Sequence, residues 1–189
     1  GVLMECRQAD HHLMVELVDY DAPTLRQDLS SLLSAIRPQG VVLTPPITDD
    51  AKLLARLDEM GIPYASVSAQ EQHRRIGAVV DERSAARDVV LHLAELGHRR
   101  IAHIKGHPAH GASRWRLAGY RDGLKQAGLD YDAALVVAGR FFHQSGVDAT
   151  NKLLDLPQPP TAIFAANDDM AAGAICAICE RGLSVPKDV

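Results

Sequence analysis

From end to end the chain alternates short apolar runs of β-type residues with amphipathic helical segments, and no other property restricts its fold so strongly. Val15 to Asp19 reads as a strand. Leu25, Leu29, Leu32, Leu33 and Ile36 then recur at helical spacing, with Thr24 and Gln27 placed as a capping box. The strand Gly40 to Thr44 is broken by Pro45 and Pro46. A helix carrying Leu53, Leu54, Leu57 and Met60 stops at Gly61, and Ile62 to Val67 and Ile76 to Val80 read as two more strands.

The second half repeats the scheme. A helix with Ala86, Val89, Val90, Leu93 and Leu96 stops at Gly97, and the strand RIAHIKG leads into a helix with Leu117, Tyr120 and Leu124 that stops at Gly128. Ala134 to Ala138, a helix through Leu153 and Leu154, the strand TAIFAA and a last helix to Arg181 complete it, closed by Gly182 and Pro186. Strands that alternate with single crossover helices imply α/β architecture with parallel sheets covered on both faces. The strands are apolar throughout, as burial on both faces requires. The chain opens in what reads as a helix and closes on VPKDV, so a doubly wound sheet would be cut at both ends.

Composition narrows the function. At 189 residues, 47% hydrophobic and 23% charged, the chain can bury a real core, and no apolar run is long enough to cross a bilayer. Its net charge of −4 repels phosphates, which makes this segment by itself a poor grip for DNA. Three cysteines, an odd number, and the absence of a signal-peptide pattern suggest reduced thiols and a cytoplasmic setting. Cys176 and Cys179 form a C-x-x-C, but their Ala-rich helical surroundings favour packing over redox or zinc chemistry. His103, His107 and His110 invite a metal reading, yet a strand followed by a Gly-Pro loop does not converge three ligands, so no metal is expected. Asp49 and Asp50 read as caps rather than paired acids, and Asp81 as a cap or hinge residue. With no G-x-G-x-x-G after a strand, no P-loop and no G-x-S-x-G elbow, neither an enzyme nor a cofactor is expected.

Three segments in order, HLAELGHRRIAHIKG (His92 to Gly106), GASRWRLAGYRDGL (Gly111 to Leu124) and PTAIFAANDDMAAGAICAICERGLSVPKDV (Pro160 to Val189), resemble the LacI/GalR family of transcriptional regulators, and GVVLTPP near Gly40 also fits it. The resemblance implies two Rossmann-like lobes of the periplasmic-binding-protein type, here residues 1–81 and 82–189, with an effector in the cleft between them. It also implies a helix-turn-helix head, a first strand and C-terminal strands that this sequence does not contain.

Ligands of open parallel sheets sit beyond the carboxyl ends of the strands. By resemblance to the family's R-L-A-G motif, Arg116 reaches the effector, its guanidinium fork suiting vicinal hydroxyls or a carboxylate. Arg114, two residues away, faces nearly the opposite side of a helix. Asn167 is placed in the cleft by the same resemblance, although its position before a helix also suits an N-cap, a task it could divide with Asp168. Phe141, in a chain with 4% aromatics, offers a flat ring to the C–H face of a pyranose, with core packing as the competing reading and Phe142 as its neighbour in reserve. His110 lies in a loop where the family contacts its effector. Ala171, Ala172 and Ala174 lie on a small-residue helix that the resemblance assigns to a homodimer interface, close packing on its own sheet being the alternative.

The expectation is the effector-binding core of a ligand-responsive regulator that senses a sugar or sugar derivative and controls operator DNA through the absent head, with no membrane partner. A periplasmic sugar-binding protein of a transporter and a metabolic enzyme on a doubly wound sheet are the alternatives.

Overall fold

A computed structural model describes residues 1–69 and 76–189. The chain folds as two compact units, one made of Gly1–Val41 and Asp50–Pro63, the other of Val42–Asp49 and Tyr64–Val189. Among the described residues the fold is α/β, with two three-stranded sheets of orders β1-β2-β3 and β5-β4-β6.

The first unit contains helices α1 (Val2–Gln8), α2 (Leu25–Ile36) and α3 (Ala51–Glu59). Helix α3 starts where the Asp50 carboxylate accepts hydrogen bonds from the amides of Lys52 and Leu53, both at 3.1 Å, and it buries Leu53, Leu54 and Leu57. The expected capping box of α2 does not form. Thr24 already has helical backbone angles (φ −89°, ψ −5°), which carry its hydroxyl away from the amides it would cap, and no side-chain cap bond is made. The strand expected from Val15 to Asp19 is also absent: the segment is irregular, with Val15 72% and Leu17 91% exposed. An extended run becomes a strand only when a neighbour pairs with its amides and carbonyls, and alternating apolar residues do not supply that neighbour.

Strands β1 (Val41–Leu43), β2 (Tyr64–Val67) and β3 (Gly77–Ala78) are short; β2 pairs with β3 in parallel, Ser66 opposite Gly77. The second sheet is the better built. Its centre is β4 (Ile101–Lys105), parallel to β5 (Val136–Ala138) on one side and β6 (Ala162–Ala165) on the other. Ile101 packs with Val90, Tyr120 and Leu124 of helices α4 (Glu82–Glu95) and α5 (Gly111–Gln126). Ala102 and Ile104 pack instead with Ala149, Leu153, Met170 and Ala174 of α6 (His143–Leu154) and α7 (Asp168–Glu180). Alternate residues of one strand therefore feed two cores, which is why Ile101, Ala102 and Ile104 are apolar on both faces of it.

Glycine sets how closely the helices approach. A methyl group at Gly119 of α5 would overlap the carbonyl oxygen of Arg83 in α4, and one at Gly173 of α7 would overlap that of His143 in α6. His103, the polar residue inside the central strand, is fully buried. Its ring stacks between Tyr120 and Phe164 at 5.2 and 4.7 Å, and its Nδ1 lies 2.9 Å from the Phe164 carbonyl. Burial, aided by the nearby charges of Lys105 and Arg116, outweighs that bond and lowers the imidazole pKa to about 4, so His103 is a neutral core residue.

Candidate ligand-binding site

The sheet order β5-β4-β6 brings the carboxyl ends of three strands together, and each strand runs into the N-terminus of a helix. After β4, the loop 106–110 is tied to the start of α5 by the Ser113 hydroxyl, which donates to the Gly106 carbonyl at 2.9 Å. Arg116 lies one turn further along α5. Its Nε and Nη2 donate to the two carboxylate oxygens of Glu82, the first residue of α4, at 2.7 and 2.9 Å. Its Nη1 donates to the Ala166 carbonyl, just past β6. The guanidinium thus joins α4, α5 and the end of β6, its partners standing 34 and 50 residues away in sequence.

Asn167 follows Ala166 and is the N-cap of α7: its Oδ1 accepts from the Met170 amide at 3.1 Å, while its Nδ2 donates to the Phe141 carbonyl at 2.9 Å. Capping therefore falls to Asn167, and Asp168 opens the helix with its side chain exposed. Phe141 has a left-handed backbone (φ +69°) and lies over Gly106 so closely that a side chain there would run into its ring. The ring meets the edge of His110 at 5.0 Å, and His110 in turn lies 6.1 Å from His107. Burial, with the charge of His107 second, lowers the His110 pKa.

Of the four residues singled out in the sequence, Arg116 and Asn167 wall one hollow of about 350 Å³, together with Glu82, Val89, Phe164 and Asp168. Phe141 is bonded to Asn167 and His110 packs on the Phe141 ring, but neither is among the walls of the hollow. The hollow combines an apolar floor with a carboxylate, a guanidinium and an amide, the make-up of a site for a polar organic molecule. Phe142, Phe141's neighbour, is 50% exposed and precedes α6. Arg114 is exposed on α5, and Arg116 is partly buried, as their two-residue separation predicts. Asp81 caps α4 by accepting from the Ser84 amide at 3.0 Å.

The three alanines of α7 do not share one environment. Ala171 is a wall of the hollow and Ala172 is exposed, but Ala174 is 4% exposed and belongs to the core under the sheet, where close packing on its own sheet accounts for it. Cys176 and Cys179 lie on the same helix, half-buried and exposed. Among the described residues no group of three or more His, Cys, Asp or Glu converges as metal ligands would.

Glu82 was not visible in the sequence as a functional residue. It stands 34 positions from Arg116, next to a capping aspartate that explains an acidic helix start by itself, and only the packing of α5 on α4 reveals the pair.

The fold and this arrangement define a ligand-binding domain built on parallel sheets. Residues 90–189 match the family described as periplasmic binding protein-like domain. The structure resembles that of a LacI family transcriptional regulator from Mycobacterium smegmatis, with a TM-score of 0.84 and 32% identity over 99% of this chain and 68% of that one. The chain belongs to the LacI family. It is 31% identical to the probable HTH-type transcriptional repressor ExuR of Bacillus subtilis over 95% of this chain and 53% of that protein. It also resembles a transcriptional regulator CelR-cellobiose complex, with a TM-score of 0.80 and 34% identity over 89% of this chain and 52% of that one. The chain spans about half the length of ExuR and CelR. No helix among the described residues is long and apolar enough to cross a membrane.

Proposed function

We propose that this chain is the effector-binding core of a ligand-responsive transcriptional regulator, which senses a sugar or sugar derivative and adjusts the operator affinity of a helix-turn-helix head. The observation that carries this reading is the convergence of Arg116 and Asn167 in one hollow at the carboxyl end of β6. Phe141, fixed by its carbonyl's bond to Asn167, and His110 extend the polar and aromatic surface available to the ligand. Residues 1–81 and 82–189 act as the two lobes, one around each sheet. The effector changes DNA affinity by its differential affinity for two lobe arrangements. The regulator works as a cytoplasmic homodimer, with Ala171 and Ala172 contributing to the interface and Ala174 supporting the helix from within. It does no chemistry on its ligand. Relatives named as regulators favour this over a transporter's periplasmic binding protein.

A thermal-shift screen against monosaccharides and disaccharides, cellobiose among them, tests the reading, because a specific ligand raises the melting temperature by mass action. The expected result is a rise of a few degrees with one sugar that disappears in Arg116→Ala and Asn167→Ala. A response to no sugar, with a response to nucleotides, would overturn it.

A further inference from the structure

The fork of Arg116 is already occupied. A guanidinium has five N–H donors, and the edge best matched to a carboxylate, Nε with one Nη, is closed on both oxygens of Glu82. A third donor serves the Ala166 carbonyl. Both partners of the ion pair are mostly shielded from solvent, with side chains 24% and 15% exposed, so the pair is screened less than a surface one. The charged walls of the hollow are Glu82, Arg116 and Asp168, one cation against two anions. Helix N-termini would ordinarily attract an anion here, but Asp81 and Glu82 at the start of α4 and Asp168 and Asp169 at the start of α7 already oppose both dipoles. An anionic ligand would have to displace Glu82 and leave it beside Asp168. That costs affinity for anions without requiring any new contact for neutral ligands, which is how a site acquires preference by exclusion.

We infer that Glu82 is a specificity-determining residue that restricts this site to uncharged polyols and excludes uronates and phosphorylated sugars, by claiming the arginine fork for itself. The inference rests on the hollow being the effector site. A neutral hydroxyl compound can use the two remaining guanidinium N–H groups and the oxygens of Glu82 as acceptors, so the pair serves it as donor and acceptor together.

Calorimetric titration of the chain with glucose and cellobiose as neutral probes, and glucuronate and inorganic phosphate as anionic ones, tests this in the wild type, Glu82→Gln, and Glu82→Gln combined with Arg116→Ala. The amide keeps the size of the carboxylate, removes its charge and leaves one acceptor oxygen where there were two, which opens the arginine fork. Glu82→Gln is expected to bind glucuronate or phosphate at least about tenfold more tightly than the wild type, the factor carried by one charge-assisted hydrogen bond. The double variant should lose that gain. A wild type that binds glucuronate or phosphate as tightly as Glu82→Gln does would overturn the inference, as would an unchanged anion affinity in a Glu82→Gln protein that melts like the wild type. Should that variant fold poorly, the Nε–H resonance of Arg116 in the wild type decides: it must stay in place as glucuronate is added, and a saturable shift overturns the inference. Binding of neither sugar to the wild type, with the anion gain of Glu82→Gln intact, would remove the sugar-sensor reading for these sugars while leaving the role of Glu82 standing.

Discussion

Helices α2 and α7 show how differently one sequence pattern can end. Helix α2 carries five large apolar residues at helical spacing, yet it buries none of them, and Ile36 is 40% exposed. Helix α7 carries four alanines and one glycine, yet it buries Met170, Gly173, Ala174, Ala177 and Ile178. Periodicity marks the face a helix can bury; whether that face is covered depends on how closely other elements approach. Glycines bring α6 and α7 together, since a methyl at Gly146 or Gly173 would strike the backbone of the facing helix. Nothing comparable draws a partner onto α2 within its own unit, where α1 also buries no residue.

The largest expected effect follows directly. Leu153 of α6 is fully buried in the core with Ile104 and Met170, so Leu153→Ala should cost about 2–5 kcal/mol of stability through lost burial and a residual cavity. Ile36→Ala should stay within about 0.5 kcal/mol, as exposed positions do. Urea denaturation followed by circular dichroism measures both. Equal costs would break the comparison, because α2 would then be covered as fully as α6.

The same contrast explains what could be read before any coordinates. The glycine stops at Gly97 and Gly128 do take left-handed backbone (φ +97° and +67°), and β6 was legible because burial on both faces leaves an uninterrupted apolar run, while β4 was legible from Ile101, Ala102 and Ile104 despite His103 between them. Val15 to Asp19 was not, since alternation describes a strand's faces and says nothing of a pairing edge. Thr24 failed as a cap for a related reason: the capping box fixes residue types, while the bond depends on backbone angles. Arg116 and Asn167 could be singled out through their resemblance to the family's motifs; for Asn167 local order agrees, since it stands two residues past the end of β6, whereas Arg116 lies eleven residues past β4, inside α5. Glu82 could not, because its meaning lies in a partner 34 residues away. Ala174 looked equivalent to Ala172 in sequence, and only the turn of the helix separates a core methyl from an exposed one.

Acidity sharpens the comparison from another side. His103 is depressed to about 4 when folded, against about 6.5 when unfolded. The unfolded chain therefore binds the proton first, so the stability due to a neutral His103 is full above pH 6.5 and falls as pH drops from there toward 4. Between pH 7 and pH 5.5 the expected loss is about 1 kcal/mol from this group alone. His110 is shifted in the same direction and adds to it. Denaturation midpoints of the wild type and His103→Leu over that range provide the check. The variant loses some stability at pH 7, where the Phe164 carbonyl is left without its ring partner, but its curve should be flatter. An unchanged slope would mean that His103 takes up its proton as readily in the folded core as in the unfolded chain.

The smallest effect belongs to the polar tie of α2. Arg26 meets the Asp50 carboxylate with Nε at 2.9 and 3.1 Å, its side chain 58% exposed. Burial pushes the Asp50 pKa up, but the bond and charge of Arg26 and the amides of Leu53 and Lys52 outweigh it, so the pKa lies below the usual value. A depressed carboxylate stabilises the fold above its unfolded pKa and loses that contribution as pH falls through the folded value, so at pH 7 the pair acts in full. Even so, an exposed pair is worth only about 0.2–1 kcal/mol. Arg26→Ala should cost that much at pH 7, and the Asp50 pKa should rise in the variant while the caps to Lys52 and Leu53 persist; urea titration and carboxylate NMR read the two quantities. A cost near that of Leu153→Ala would mean that a single surface ion pair holds α2 as firmly as a buried leucine holds α6, and burial would no longer be what separates the two helices.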